Sequence, residues 1–342
     1  MTKSNKHMET QKTNVFLVRT QYHVLMAVNT IFSQYRDYHN IIYYLKGRIS
    51  NDFKSNEPFI EFRELERNKF GNTDFVDVIK AFKPERFFFF QENCSETLFL
   101  LTKLSKAGIT ISLLQDGTKP YHHYKKKRLL YCILRDTLND YKEMFQRKQV
   151  AWIGFHNNYK YAFSKEVDEV WLTYPEKYNN RTQKKLVQLP YYSEESIAFS
   201  NQLFHFKIDF DVDSILYLGQ AWKRIYWERE KEIFDYLLAK FPDKKIIYKA
   251  HPNSEPGQLD LYNSYPNIRV IKDKIPAELY VLIMKNTIIL SAASTSMFAY
   301  NDSCKYYYTY KLYNFGNIFT QIDIGNPTSH IVNIDHLDEI EF

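Results

Sequence analysis

Apolar runs alternate with helically spaced apolar positions along most of the chain. Val15-Phe16-Leu17-Val18 is a continuous apolar run and predicts a first buried strand. Gln21-Tyr22-His23 reads as the strand-to-helix loop that follows, and the spacing from Val24 to Phe32 predicts a helix. Ile41 to Leu45 predicts a second strand. A helix near 74–82 leads into a strand over 86–90, the greasiest stretch of the sequence. The segment 95–107 reads as a helix with Ser95 at its N-cap, and Ile109 to Leu114 as a strand ending in Gln115-Asp116-Gly117-Thr118. Residues 121–165 read as helix-rich and basic, and Val167 to Leu172 closes the first half as a strand.

The segment 175–212 is polar and irregular, and predicts an interdomain connection. Alternation restarts at Ser214 to Gln220, a strand that runs into a loop at Gly219. A helix over about 228–240 and strands at Lys245–Lys249, Asn267–Ile271 and Thr287–Leu290 follow, with a helix at Ala277–Met284. Ser294-Thr295-Ser296 opens a further helix. Strand–helix alternation of this kind implies parallel sheets with helices on both faces. With 342 residues, the chain is long enough for two domains with separate cores. The expected division is a disordered tail at 1–12, an N-terminal Rossmann-like domain at 13–205 and a C-terminal one at 206–342, facing each other across a cleft.

Composition narrows the class. Hydrophobic residues make 44% and charged residues 25%, an ordinary globular balance. Aromatics reach 17%, mostly Tyr and Phe; such residues serve as sugar-stacking platforms or reflect a Tyr-rich composition. Net charge is +6, much of it local, as in Lys125-Lys126-Lys127-Arg128. A basic cluster suits an anionic membrane surface or a nucleotide-sugar, or is a solvated helix face. Zinc-finger spacing and RNP-type aromatic motifs are absent, so nucleic acid is not expected as a partner. Cys94, Cys132 and Cys304 are too scattered for a disulfide framework or a zinc site, which fits a reducing cytoplasm. No apolar run reaches membrane-spanning length, and residues 1–12 lack a signal-peptide core.

The candidate chemistry gathers at strand ends. Lys249-Ala250-His251-Pro252 places a histidine just past a strand's C-terminal edge, where parallel sheets bind ligands. Its ordinary pKa near ~6.5 suits proton donation to a leaving phosphate; the bland alternative is a loop histidine before a turn proline. Lys249 balances phosphate charge or is a solvated strand-end lysine. Ser294, Thr295 and Ser296 offer hydroxyls and backbone N–H groups to an anion, or simply cap a helix. Glu278 at a helix start would take hydrogen bonds from ribose hydroxyls, or complement the helix dipole. Asp116 before Gly117 is a candidate general base, or half of a common turn pair. Gln21 and His23 would face the same cleft. His122-His123 lack companions at metal-ligand spacing, so no metal site is expected.

Taken in order, Asp-Gly in the first half, then Lys-x-His-Pro, Pro-x-Glu and a Ser/Thr pair, the chain resembles bacterial sialyltransferases of the GT-B type. Glycosyltransferase family 52 is the nearest in pattern, a group with lipooligosaccharide and capsular enzymes; polysialyltransferases and the multifunctional bacterial sialyltransferases are related. The resemblance spans about residues 14–310 and includes the opening Val15–Asn29 with Gln21. It implies Asp116 as general base and His251 as general acid and phosphate contact. Glu278, Ser294, Thr295 and Ser296 would contact CMP, with Lys249, Pro252 and Gly219 lining that pocket. Gln21, His23 and Gly117 would line the acceptor and donor-sugar side. The implied reaction is inverting and metal-independent, with CMP-sialic acid as donor, no cofactor and a galactose-terminated surface glycan as acceptor. Base and acid lie in different domains, so the cleft would have to close. A cytoplasmic location at the inner membrane face and a homodimer are compatible with it. One departure stands out: the family's acidic pair is Gln115-Asp116 here, with a single carboxylate.

Two other functions fit part of the pattern. CDP-glycerol glycerophosphotransferase-like enzymes share a Lys-x-His-Pro-like loop and a stretch similar to Ser294–Phe298, but Gln21 and Gln115-Asp116-Gly117 favour the sialyltransferase. A non-catalytic glycan-binding protein of the same fold would explain the missing carboxylate.

Overall fold

The computed structural model describes residues 11–49, 53–92, 94–121, 161–178, 183–313 and 326–342, with isolated positions between 134 and 142. The tail expected at 1–12 lies outside the described residues except for Gln11 and Lys12, as do Lys125–Arg128, His122-His123, Cys132 and most of 121–165. Two compact units divide the chain. One runs to Asp116 and takes later segments up to Leu203; the other takes Phe204–Phe342 with short pieces beginning at Gly117 and Glu176.

The first unit contains β1 (Thr13–Val18), α1 (Gln21–Gln34), β2 (His39–Leu45), β3 (Ile60–Leu65), α2 (Thr73–Ala81), β4 (Arg86–Phe89), α3 (Ser95–Ser105), β5 (Thr110–Leu114), β6 (Glu169–Leu172), β7 (Lys185–Gln188) and α4 (Glu194–Leu203). Its seven strands lie in the order β3-β2-β1-β4-β5-β6-β7 and every pair is parallel. A parallel sheet is covered on both faces, which is why its central strands read as unbroken apolar runs. The chain leaves β1 toward β2 on one side and reaches β4 on the other. That reversal makes the β1/β4 carboxyl ends the switch point, where such sheets bind ligands.

The second unit contains β8 (Ile215–Leu218), α5 (Trp227–Lys240), β9 (Ile246–Lys249), α6 (Pro256–Asn263), β10 (Ile268–Ile271), α7 (Ala277–Ile283), β11 (Ile288–Ser291), β12 (Lys305–Tyr308) and β13 (Ile331–Asn333). Its strand order is β10-β9-β8-β11-β12-β13, again all parallel. The switch point lies between β8 and β11, so the loops opening at Gly219 and at Ala292 flank it.

Four expectations change. Gln21-Tyr22-His23 is the first turn of α1 and not a loop, because the Thr20 hydroxyl accepts the His23 N–H (3.2 Å) and starts the helix there. Ser294-Thr295-Ser296 opens a four-residue 3-10 turn, Thr295–Phe298, rather than an α-helix; Ser294 caps it by accepting the Ser296 N–H (3.3 Å). Residue 95 is the first helical residue of α3, with Cys94 in the cap position. The stretch 175–212 also holds β7 and α4. Their signal is weak because β7 is an exposed edge strand, and because α4 buries two serines beside Leu203. Ser196 donates to Asn29 of α1 (2.8 Å), so α4 covers a helix that is buried along ten consecutive residues.

Candidate functional site

Asp116 follows β5 at the carboxyl edge of the first sheet, and its side chain is 31% exposed. Gln91 and His23 are among its partners. Gln91, just past β4, donates its amide to Oδ2 (2.6 Å). His23 places Nε2 at 3.3 Å from Oδ1. The Arg19 backbone N–H donates to Nδ1 of His23 (3.2 Å), so Nδ1 carries no proton and Nε2–H points at Asp116. The ring is fully buried and stacked on Phe90 at 4.1 Å with planes 3° apart. Burial pushes the imidazole pKa down, against the pull of the Asp116 carboxylate. His23 is thereby a neutral donor, and Asp116 an oriented, part-exposed carboxylate. Gln115 is turned inward: it is buried, and its carbonyl accepts the Thr173 N–H (2.8 Å). Gly117 has φ of +74°, a left-handed turn that a side chain disfavours.

The second unit gathers its candidates on three loops. After β8, Gly219 lies so close to the next strand that a Cβ would stand 2.3 Å from the Tyr248 hydroxyl oxygen. No other residue fits without displacing a buried ring. After β9, His251 is half-buried and its Nδ1 accepts the Asn253 N–H (3.1 Å), which leaves the proton on Nε2. Burial, then the nearby Lys249 charge, push its pKa below the ordinary value, so it is neutral at pH 7. Pro252 is exposed in the turn closed by Ser254 N–H on the His251 carbonyl (2.9 Å). After β11, Ser294 is fixed by its N–H on Ser291 (3.0 Å) and by the Tyr308 hydroxyl on its carbonyl (2.8 Å).

Glu278 and Ser296 are brought together. The Ser296 hydroxyl donates to the Glu278 carboxylate, which is buried and has its pKa raised by that burial. Lys249 is buried too. Its ammonium is bonded to the backbone and side-chain oxygens of Asp273, each at 2.7 Å, and lies over the Tyr280 ring. Desolvation lowers its pKa and Asp273 opposes the shift. Lys249 thus ties β9 to the loop after β10, the loop that delivers Glu278. Thr295 is partly exposed beside them.

Sequence reasoning missed Gln91, Phe90, Arg19 and Asp273. The available signal for Gln91 was a polar residue immediately past a run of four phenylalanines at a switch point. Among the described residues, no group of three or more His, Cys, Asp or Glu side chains is placed to hold a metal. No helix of the described residues is long and apolar enough to cross a membrane.

A family model described as alpha-2,8-polysialyltransferase matches residues 14–305. No curated protein sequence matches the chain. Among solved structures, an alpha/beta-galactoside alpha-2,3-sialyltransferase from Photobacterium phosphoreum is similar at TM-score 0.55 and 12% identity, over 97% of this chain and 100% of that one. The GT-B domain of a Photobacterium damselae sialyltransferase is similar at TM-score 0.50 and 13% identity, over 87% and 91%. A 2,6-sialyltransferase from Photobacterium sp. JT-ISH-224, solved with CMP and lactose, is similar at 0.53 and 12%, over 95% and 78%. At such identities the likeness speaks for the fold, which is GT-B: two Rossmann-like α/β units.

Proposed function

Because the chain belongs to the alpha-2,8-polysialyltransferase family, and is therefore a glycosyltransferase that transfers sialic acid, we propose that it moves the sialyl group of CMP-sialic acid onto a hydroxyl of a sialic-acid-terminated glycan. The observation that carries this reading is the cradle of Asp116: a part-exposed carboxylate at a sheet's carboxyl edge, with the neutral donors His23 and Gln91 on it. Asp116 accepts the proton of the acceptor hydroxyl as its oxygen attacks the anomeric carbon. The bond to the CMP phosphate oxygen breaks with its electron pair, through an oxocarbenium-like transition state and with inversion. A positioned general base is worth roughly 10²–10⁴ in rate. The inward turn of Gln115 supports a single-base mechanism, since that position hydrogen-bonds backbone and is not free to accept a substrate proton.

His251 presents Nε2–H to the departing phosphate as a neutral hydrogen-bond donor. Its depressed pKa favours that role over an imidazolium. Gly219, Ser294, Thr295 and the Glu278–Ser296 pair form the CMP side of the reading, with Lys249 and Pro252 shaping its loops. No metal has a step in this scheme. The basic cluster at 125–128 is compatible with work at the cytoplasmic face of a membrane, which flotation with anionic liposomes tests.

The acceptor follows the family description. The galactose-terminated glycan expected from the sequence is the other arm of the test. Mass spectrometry of sialyllactose and of lactose, each incubated with enzyme and CMP-sialic acid, reads sialyl additions directly. Additions to sialyllactose are expected. Additions to lactose alone would reassign the acceptor, and none to either, with CDP-glycerol consumed, would move the chain to the phosphotransferase reading.

A further inference from the structure

Arg19 follows β1 and crosses the switch point of the first sheet to the first turn of α3. Its Nη2 donates to the Thr97 hydroxyl (2.6 Å) and to Cys94 Sγ (3.1 Å), and its guanidinium lies 4.7 Å from the centre of the Phe70 ring. The residue is 8% exposed. Among the described residues no carboxylate lies within ion-pair distance of it. Lys249, the other buried cation, rests on Asp273. Buried charges are ordinarily paired, because desolvating a lone ion is not repaid by an aromatic face and a hydroxyl.

The first turn of α3 carries one acidic residue, Glu96, which makes no ion pair with Arg19. Cys94 gives α3 no side-chain cap, so the helix start beside the guanidinium keeps first-turn N–H groups without a side-chain acceptor from its cap residue. Gln21, at the same end of β1, has a buried amide nitrogen without an acceptor. Arg19 is also close enough to His23 to depress its basicity. A cation, a helix start without a side-chain cap and an orphan amide donor are therefore grouped by the chain at the carboxyl end of β1, next to the His23 that holds Asp116. What they lack is an acceptor with two oxygens and a negative charge. A guanidinium matches a carboxylate fork to fork.

We propose that this group is a subsite for a sugar carboxylate, with Arg19 as its cation. The inference rests on the sialyl-transfer reading, in which both substrates carry such a group: the sialyl residue of the donor and the terminal sialic acid of the acceptor. Arg19 binds and orients substrate beside Asp116 and takes no proton.

Binding to the full-length chain, read by calorimetry, tests this without relying on turnover. The ligands are sialyllactose, its carboxyl methyl ester, CMP-sialic acid and CMP. The parent should bind sialyllactose or CMP-sialic acid with help from the carboxylate. Arg19→Met should weaken whichever of them uses the subsite by roughly 10–100-fold, the scale of a charge-assisted bidentate contact, and leave CMP unchanged. Loss confined to sialyllactose, with the parent preferring acid over ester, assigns the carboxylate to the acceptor; loss confined to CMP-sialic acid assigns it to the donor. Arg19→Lys keeps the charge without the fork and should lose part of the affinity, and it serves if the Met variant fails to fold. Parent affinities for every ligand in the folded Arg19→Lys and Arg19→Met proteins would overturn the subsite and leave Arg19 a strut between β1 and α3. Absence of CMP release in the parent would count against the transfer reading alone.

Discussion

Replacing Glu230 by Gln should stabilise the protein at pH 8 and leave it nearly unchanged at pH 4.5. Glu230 lies in the first turn of α5 and is fully buried. Its carboxylate accepts the Tyr262 hydroxyl and the Gln258 amide (3.0 Å). Tyr217, Tyr248 and Tyr313 complete a phenolic cage, and no cation pairs with it among the described residues. Burial raises its pKa to about 7, with the surrounding donors opposing. The folded state thus keeps its proton up to about pH 7, while the unfolded chain releases it near 4.5. Across that window the folded state binds more protons, so stability falls as pH rises. The difference corresponds to roughly 3 kcal/mol between pH 4.5 and pH 8. Gln carries no titrating proton and should remove that loss. Urea denaturation followed by Trp fluorescence, with Trp222 and Trp227 beside the cage, reads the effect as the midpoint of the variant minus that of the parent. The gap should open with pH. An equal gap at both pH values would refute the reasoning. The same Gln258 amide also reaches the Gln220 carbonyl (3.2 Å), so the cage seats the loop that begins at Gly219.

Other outcomes follow from the same contacts. His23→Phe keeps the stack on Phe90 but removes the donor to Asp116; kcat should fall roughly 10–100-fold, as for a lost hydrogen bond to a charged group, and His23→Gln should recover most of it, whereas parent turnover in the Phe variant would dismiss the positioning role. Gly219→Ala forces a methyl into the Tyr248 ring and should cost about 1–3 kcal/mol with a raised KM for the donor; an unchanged Tm would contradict the packing. His251→Ala should abolish transfer in a folded protein, measured by product formation beside circular dichroism. Because the working form of His251 is neutral and its pKa is depressed, parent activity should hold below pH 6.5 before failing, and an acid limb above 6.5 would speak against that form.

The central strands and the loops past them were legible because a covered parallel sheet writes itself as apolar runs, and chemistry sits where those runs stop. β1, β5, β9 and β11 are examples, with Asp116 and His251 just beyond two of them. Elements that escaped notice obey other physics. β3, with Glu61, Arg63 and Glu64, is a polar edge strand, and β12 is three tyrosines after a lysine. α4 packs serines against the buried Asn29, so its inner face carries no apolar period. The tyrosine content, read from composition as sugar platforms or as drift, forms part of the core around Glu230. Side-chain partnerships were beyond the sequence altogether. That His23 is a buried donor to Asp116, that Lys249 is spent on Asp273, and that Arg19 has no carboxylate, depend on residues brought together from 24 to 93 positions apart.

The most direct measurement is CMP release from CMP-sialic acid in EDTA, with and without sialyllactose, for the parent and for Asp116→Asn. Acceptor-stimulated release by the parent, reduced by about two orders of magnitude or more in Asp116→Asn, is the expected result. Release that ignores the acceptor, or a folded Asp116→Asn enzyme with parent rates, would contradict Asp116 as the base of a metal-independent sialyl transfer.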